Sequence, residues 1–260
     1  MQRDRDFTTA VPCGILTACL LKFDVFRPPN ASELPAVVMI PGGPLPPGNR
    51  TYMWQLARYV AARGAIVFTM DYRSGPQYGG GDPVTFGDVA CAVRFARTHA
   101  VDFGGRVAAP VTLVAHSFGG FPASVVGLSP TDFSSSECLV QSGEGRPDAF
   151  VGVAAIYRRD DIGAEFLEAF FGGSRDAKPA AWAAGDPSLL AADADSHRIP
   201  IRLLVGSADL VGRPEIASAF AAVLEAAGQD VELTTVDGAT HDSILAKLAT
   251  VDVIAALLEP

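Results

Sequence analysis

The sequence predicts an α/β fold: a mostly parallel, twisted sheet of about eight strands, with helices on both faces and a small helical cap inserted late in the chain. Three observations lead there. Strand-length apolar runs alternate with helix-length segments along most of the 260 residues, and strand–helix–strand repetition implies parallel pairing through crossovers. Several of the runs, "PAVVMI", "AIVFTMDY" and "PVTLVA", are continuous rather than alternating, as strands buried on both faces are. Hydrophobic residues make up 49% of the chain, which suffices for a large core.

In chain order, "LLKFDVFRP" alternates as an early antiparallel strand does. "PAVVMI" is the first strand buried on both sides. A helix follows over 52–63 and stops at Gly64. "AIVFTMDY" is a strand, "TFGDVACAVRFARTHA" a crossover helix, "PVTLVA" a strand and "FPASVVGL" the start of a helix. "AFVGVAAIY" and "IPIRLLVG" are further strands. "RPEIASAFAAVLEAAG" is an amphipathic helix closed by Gly228. "DVELTTV" is the last strand and "SILAKLATVDVIAALL" the last helix. Residues 129–146 fit neither period and read as an ordered loop. Residues 158–197 hold short helical pieces, "EFLEAFFGG" and "PAAWAAGDPSLL", between two strands. Insertions after strand ends lie beside the ligand crevice of an open α/β sheet, so this segment is the cap. With no internal repeat and no long linker, residues 1–260 read as one domain.

Composition excludes some functions. The formal charge is −9 and the basic residues are scattered, which argues against a nucleic-acid surface. No apolar stretch approaches the roughly 20 residues of a membrane span. "MQRDRDFTTAVP" lacks the apolar core of a signal peptide, so the expectation is cytoplasmic, with secretion after removal of a leader left open. Cys13, Cys19, Cys91 and Cys138 form no CxxC pair; their even number permits disulfides and their spacing establishes none. Cys91 lies in a helical pattern and reads as a small apolar residue of the core.

The chemistry centres on "LVAHSFGG", residues 113–120. A buried strand running straight into a helix needs a sharp turn whose tip is strained and whose neighbours are small. Ala115 and Gly119 flank Ser117 at two residues on either side. The turn lifts the Ser117 hydroxyl above the sheet edge, at a helix N-terminus whose free amides favour negative charge. A plain N-cap is the competing reading, and the partners decide between them. A serine nucleophile needs a base, and the base an orienting carboxylate. His116 is the serine's own neighbour and points the wrong way. His99 ends a helix and His197 sits in the polar stretch "DADSHRIP". His241, in "VDGATHDS" after the last strand, opens at the same sheet edge as the serine and is the base. Asp209 follows the strand in "IRLLVGSADLVG" and is the acid, with Asp237 the alternative; Asp186, Asp193 and Asp195 read as caps and turns. The order Ser117, Asp209, His241 is one in which such triads occur. The Phe118 amide and the amides of Gly43 and Gly42, in "VVMIPGGPLPPGN", are candidate donors to an oxyanion.

These segments resemble the α/β-hydrolase superfamily, in its esterase/lipase branch with an HGGG-type loop. The resemblance runs through "VVMIPGGP", "FTMDYR", "TFGDVACAVRFARTHAVDFGG", "LVAHSFGG", "VGSADLV" and "GATHDS". It implies Ser117 as nucleophile, Asp209 as acid, His241 as base and Gly42, Gly43 and Phe118 as the oxyanion hole. Two departures stand out. Ala115 replaces the first glycine of the turn. The loop reads Pro41-Gly42-Gly43-Pro44, so the loop-holding histidine is a proline, and Pro44 has no N–H to donate. The expected function is hydrolysis of carboxylic esters of short to medium chain, a small-molecule substrate, with no metal and no organic cofactor. Phe121, Phe166, Phe170, Phe171 and Trp182 are candidate pocket residues. The crossover-helix segment also resembles formylkynurenine hydrolases, which makes an amide or formamide hydrolase the nearest alternative. A noncatalytic binder on the same fold is the alternative of another class. Oligomeric state is not readable from the sequence.

Overall fold

In the computed structural model, which describes residues 1–14, 17–43 and 49–258, one eight-stranded sheet carries the molecule. The strands are β1 (Gln2–Asp6), β4 (Lys22–Phe26), β5 (Ala36–Ile40), β6 (Ile66–Met70), β7 (Val111–His116), β8 (Ala149–Val153), β9 (Ile201–Gly206) and β10 (Val231–Val236). Their spatial order is β1-β4-β6-β5-β7-β8-β9-β10. From β6 to β10 every pairing is parallel; β4 joins β6, and β1 joins β4, antiparallel. A separate hairpin pairs β2 (Val11–Gly14) with β3 (Thr17–Cys19).

The central strands are buried end to end because both faces are covered. In β5, Ala36, Val38 and Ile40 face one core while Val37 and Met39 face the other, as the two-residue period of a strand requires. The first core packs under α2 (Val84–His99), α3 (Gly120–Leu128) and α7 (Pro214–Ala226). The second packs under α1 (Trp54–Ala62) and α8 (Leu248–Ala256). Every residue of α3 is buried, because α6 (Pro187–Ala192) lies across its outer side. With α4 (Ala164–Phe170) and α5 (Pro179–Ala184), α6 makes up the insertion between β8 and β9.

The structure departs from the sequence reading in particular places. β1 was not expected: its residues, QRDRD, are all exposed, and an edge strand held by backbone pairing and by ion pairs of its polar side chains, Asp4 with Arg50 and Asp6 with Lys22, leaves no apolar period. The last helical pattern is broken at Lys247, whose extended backbone separates a short 3-10 turn (Ser243–Ala246) from α8. Cys91 is buried in the core as expected, but it is also bonded to Cys138. Cys13 is bonded to Cys19, and no described cysteine is free. The Cys91–Cys138 bridge ties the loop 129–146 to α2. Arg94 of the same helix reinforces it through Asp132 (2.7 Å) and the Gly143 carbonyl (2.9 Å). No helix among the described residues is long and apolar enough to cross a membrane.

Candidate active site

Ser117 stands one residue beyond the C-terminal end of β7, with φ +54°. A non-glycine residue in that region costs about 1–3 kcal/mol and persists where the surroundings enforce it. Here they do. Gly119 has the Pro41 carbonyl 2.7 Å from where a Cβ would sit, and Gly120 has the Ala155 Cβ at 2.5 Å. The chain therefore passes from strand to helix with backbone against backbone, and Ser117 is left at the tip.

The loops after β9 and β10 bring two more side chains to this tip. His241 Nε2 lies 2.9 Å from Ser117 Oγ, and His241 Nδ1 lies 3.0 Å from Asp209 Oδ2. Asp209 is buried, and its other oxygen accepts the backbone amides of Val211 (2.8 Å) and Gly212 (2.9 Å). Those two bonds fix the carboxylate so that Oδ2 faces the imidazole. The alternative acid, Asp237, instead accepts from the Ser207 hydroxyl at 3.2 Å. The other acids and histidines are spent elsewhere. Asp186 caps α6, His99 pairs with Asp102, and His197, half-buried, reaches the Gly127 carbonyl at 3.2 Å.

Gly42, Gly43 and Phe118 line the same cavity as Ser117 and His241. Among the described residues, neither the Gly43 nor the Phe118 amide donates to a protein acceptor. Gly42 packs directly on the turn that carries Ser117: a Cβ there would stand 2.6 Å from the Ser117 Cβ. Gly43 has φ +151°, a backbone that glycine alone adopts without strain. Pro44 lies outside the described residues. The entry to this loop is held by Tyr72, whose buried hydroxyl donates to the Pro41 carbonyl (3.1 Å). Beyond the loop, Arg50 bonds Asp24 (3.0 Å), Asp71 (2.6 Å) and Asp4. Tyr72 thus takes the holding role left open by the proline at 41. Its signal lay in "FTMDYR": it is the second residue past a strand that pairs in parallel with β5, and so it emerges at the same edge.

The cavity has a volume of about 600 Å³. Beyond Ser117, His241, Phe118 and the two glycines, its walls are His116 at the end of β7, Ile156, Ile162 and Phe166 from the β8 end and the insertion, and Tyr52 and Val211 near the mouth. The carboxylates that line it are Asp161 and Asp242, and no lysine or arginine lines it among the described residues. Of the expected pocket residues, Phe166 is there. Phe121, Phe170 and Trp182 are not, nor is Phe171. They form an aromatic cluster beneath the insertion, with ring centroids 5.7 Å apart for Phe121–Phe170, 5.3 Å for Phe170–Phe171 and 4.8 Å for Phe171–Trp182. Phe170 follows Phe166 by one helical turn, about 6 Å along α4, which carries it past the cavity into the core. Trp182 spends its indole N–H on the Gly173 carbonyl. Ile156, Ile162, Tyr52 and Val211 were missed because their apolar character gives no hint of which loop reaches the site.

A parallel sheet wrapped by helices, with a serine on a strained strand-to-helix turn, defines a class, and the sequence comparison agrees with it. Residues 37–253 match the family model described as the alpha/beta hydrolase family, and the chain belongs to that family. No curated relative matches the sequence. Similar solved structures include a thermophilic esterase of the planctomycete Thermogutta terrifontis with propionate bound. It is 21% identical, with a TM-score of 0.73 over 96% of this chain and 93% of that one. The apo form of Thermogutta terrifontis esterase 2 is 22% identical, with a TM-score of 0.72 over 97% and 96%. A bifunctional GH43-CE protein of Bacteroides eggerthii is 21% identical with a TM-score of 0.73; the match covers 91% of this chain but a third (33%) of that one. At these identities the likeness is one of fold.

Proposed function

We propose that the protein is a serine hydrolase acting on carboxylic esters through an acyl-enzyme. The observation that carries this reading is the continuous relay from Ser117 Oγ to His241 Nε2 and from His241 Nδ1 to Asp209 Oδ2. In the first half-reaction His241 takes the Ser117 proton as Oγ attacks the ester carbonyl carbon. The carbonyl oxygen, now an oxyanion, is met by the unspent amides of Phe118 and Gly43, with Gly42 alongside. Asp209 holds the imidazole in the tautomer whose Nε2 is free to accept, and stabilises the imidazolium that forms. The tetrahedral intermediate collapses, the C–O bond breaks, and the alcohol leaves with the proton from His241. In the second half-reaction water gives its proton to His241, its oxygen attacks the acyl carbon, and Ser117 departs reprotonated. Oxyanion donors of this kind are each worth about 2.7–4 kcal/mol in the transition state.

The apolar walls and the volume of about 600 Å³ support an ester of short to medium chain with neutral groups on either side. The formylkynurenine-type alternative makes a different demand: that substrate carries both an ammonium and a carboxylate, and among the described residues the cavity offers Asp161 and Asp242 to the first and no cation to the second. The structural likeness to Thermogutta terrifontis esterases, one of them phosphonylated by cyclosarin, supports a serine nucleophile here. The two disulfides support an oxidising compartment rather than the cytoplasm.

A p-nitrophenyl acyl series and N-formylkynurenine, assayed with wild type and Ser117→Ala, test the reading. Turnover of the esters, lost in Ser117→Ala, is expected. Preferential turnover of N-formylkynurenine would replace the ester reading with the formamide one. Failure of a fluorophosphonate to label wild type stoichiometrically would leave a noncatalytic binder.

A further inference from the structure

His116 has no part in the relay, yet it is the most buried histidine in the protein. It is buried at the end of β7, with its backbone paired against Val153 of β8. Its Nε2 lies 3.0 Å from the backbone carbonyl oxygen of His241. A carbonyl only accepts, so Nε2 carries the proton and donates it. No backbone amide takes that carbonyl among the described residues. The two imidazoles are in contact, ring centroids 4.7 Å apart and tilted by 42°. His116 Nδ1 is buried and has no hydrogen-bond partner.

From this geometry we infer that His116 is a positioning residue for the general base: its Nε2–H pins the His241 carbonyl, and its uncharged ring bears on the His241 imidazole, holding Nε2 of the base at the serine. The inference rests on the ester-hydrolase reading above for its kinetic consequences, and on the hydrogen bond alone for its structural ones. The loop from Asp237 to Asp242 needs such a support. Its backbone bonds fall before and after the histidine: the Ala239 and Thr240 carbonyls take the Ala208 and Ile244 amides, and the Asp242 carbonyl takes the Leu245 amide. Among the described residues, His241 is otherwise held through its side chain. A small rotation of its backbone would swing Nε2 away from Oγ, and displacements of about 1 Å cost up to a hundredfold in rate.

The uncharged state follows from the surroundings. The neighbouring strand β8 presents Val153, and burial pushes the His116 imidazole down to about 4. Three ionisable groups face it. His241 disfavours a second positive charge, while Asp242 and Asp209 favour one more weakly than burial opposes it. A neutral ring beside the base adds no repulsion when His241 becomes an imidazolium during turnover. The unpaired Nδ1 is the consequence: a tautomer with hydrogen on Nδ1 would leave the His241 carbonyl unmet.

His116→Phe keeps a ring of similar shape and removes the donor. His116→Gln removes the ring but can place an amide N–H near the position of Nε2. Loss of the donor is expected to lower kcat about tenfold to a hundredfold, with KM within about twofold, and to slow fluorophosphonate labelling in parallel. His116→Gln is expected to restore most of both. An unchanged kcat in His116→Phe, or equal losses in the two variants at matched thermal stability, would overturn the inference. A measurement on the wild type keeps the question decidable if the variants do not fold: long-range 15N–1H spectra of the imidazoles from pH 5.5 to 8. A neutral His116 with hydrogen on Nε2 throughout is expected. A charged His116, or hydrogen on Nδ1, overturns it whatever the substrate proves to be. Absence of esterase activity in the wild type would instead count against the functional reading and leave the spectrum to decide the position of the proton.

Discussion

Tyr72 donates its fully buried hydroxyl to the carbonyl of Pro41, 3.1 Å away and one residue before the two glycines that face Ser117. The bond joins the ends of two neighbouring parallel strands, β6 and β5, at the edge where the chemistry is placed. In Tyr72→Phe the Pro41 carbonyl loses its donor inside the core, at a cost of about 1–3 kcal/mol. Donors to an oxyanion act mainly in the transition state. Steady-state kinetics on a p-nitrophenyl ester are therefore expected to show kcat reduced about tenfold and KM nearly unchanged.

Asp209→Asn places an amide where the two oxygens now do different work. The Val211 and Gly212 amides demand an acceptor at Oδ1, so the NH2 group turns toward His241 Nδ1. The imidazole is then driven to carry its hydrogen on Nε2, the wrong side for accepting the Ser117 proton. A fall in kcat of about 10⁴-fold is expected, with the cooperative unfolding transition retained.

Gly42→Ala brings a methyl group 2.6 Å from the Ser117 Cβ and 3.1 Å from its Oγ. Neither side can retreat, because the turn carrying Ser117 is itself closed by backbone contacts. Loss of at least about a hundredfold in kcat/KM is expected, on the scale of one lost oxyanion donor. Fluorophosphonate labelling should slow with it; labelling at the wild-type rate would show that the loop moves aside freely.

His116 also sets a pH dependence of stability. Its imidazole is pushed down from 6.5 to about 4 by burial. Between those values the unfolded chain binds a proton at this residue and the folded chain does not, so stability is lost as pH falls through the window. The span corresponds to on the order of 3 kcal/mol. Asp71 acts in the opposite sense: burial, opposed by Arg50, raises its carboxyl from 3.8 to about 6, so its folded state is favoured by protonation and loses stability as pH rises. Urea unfolding of wild type and His116→Gln at pH 4.5 and 7 separates the two. The substitution is expected to reduce the loss between pH 7 and 4.5.

Reduction of the Cys91–Cys138 bridge frees a loop spanning 47 positions. Cys91→Ser with Cys138→Ser is expected to cost about 2–4 kcal/mol of stability by urea unfolding while leaving ester turnover intact below the transition. The bridge ties residues 129–146 to α2, and none of them lines the cavity.

Much of this protein was legible in the chain because its information is local and periodic. Continuous apolar runs named the central strands, since a strand covered on both faces has no polar side to show. A histidine and an aspartate placed just after strands could be assigned to one edge, because parallel strands all end on the same side. β1 was invisible for the converse reason: it is held by backbone bonds to β4 and by ion pairs of its polar side chains with distant residues, and neither leaves an apolar period to read. The aromatic residues of the insertion misled for a third reason. Phe166 and Phe170 are one turn apart on the same helix, and composition cannot say which turn overhangs the cavity.

The amino-acid order by itself determined the central strands, the serine turn and the three residues that meet there, because each is announced within a few positions of its own place. The tertiary structure alone decided what holds and surrounds them. It supplied the Tyr72 bond across two strands, the His116 bond to a carbonyl 125 positions away and the choice of Phe166 over its neighbours. Such contacts join residues distant in sequence, and their strength depends on burial and angle, which exist only once the sheet has brought the loops together.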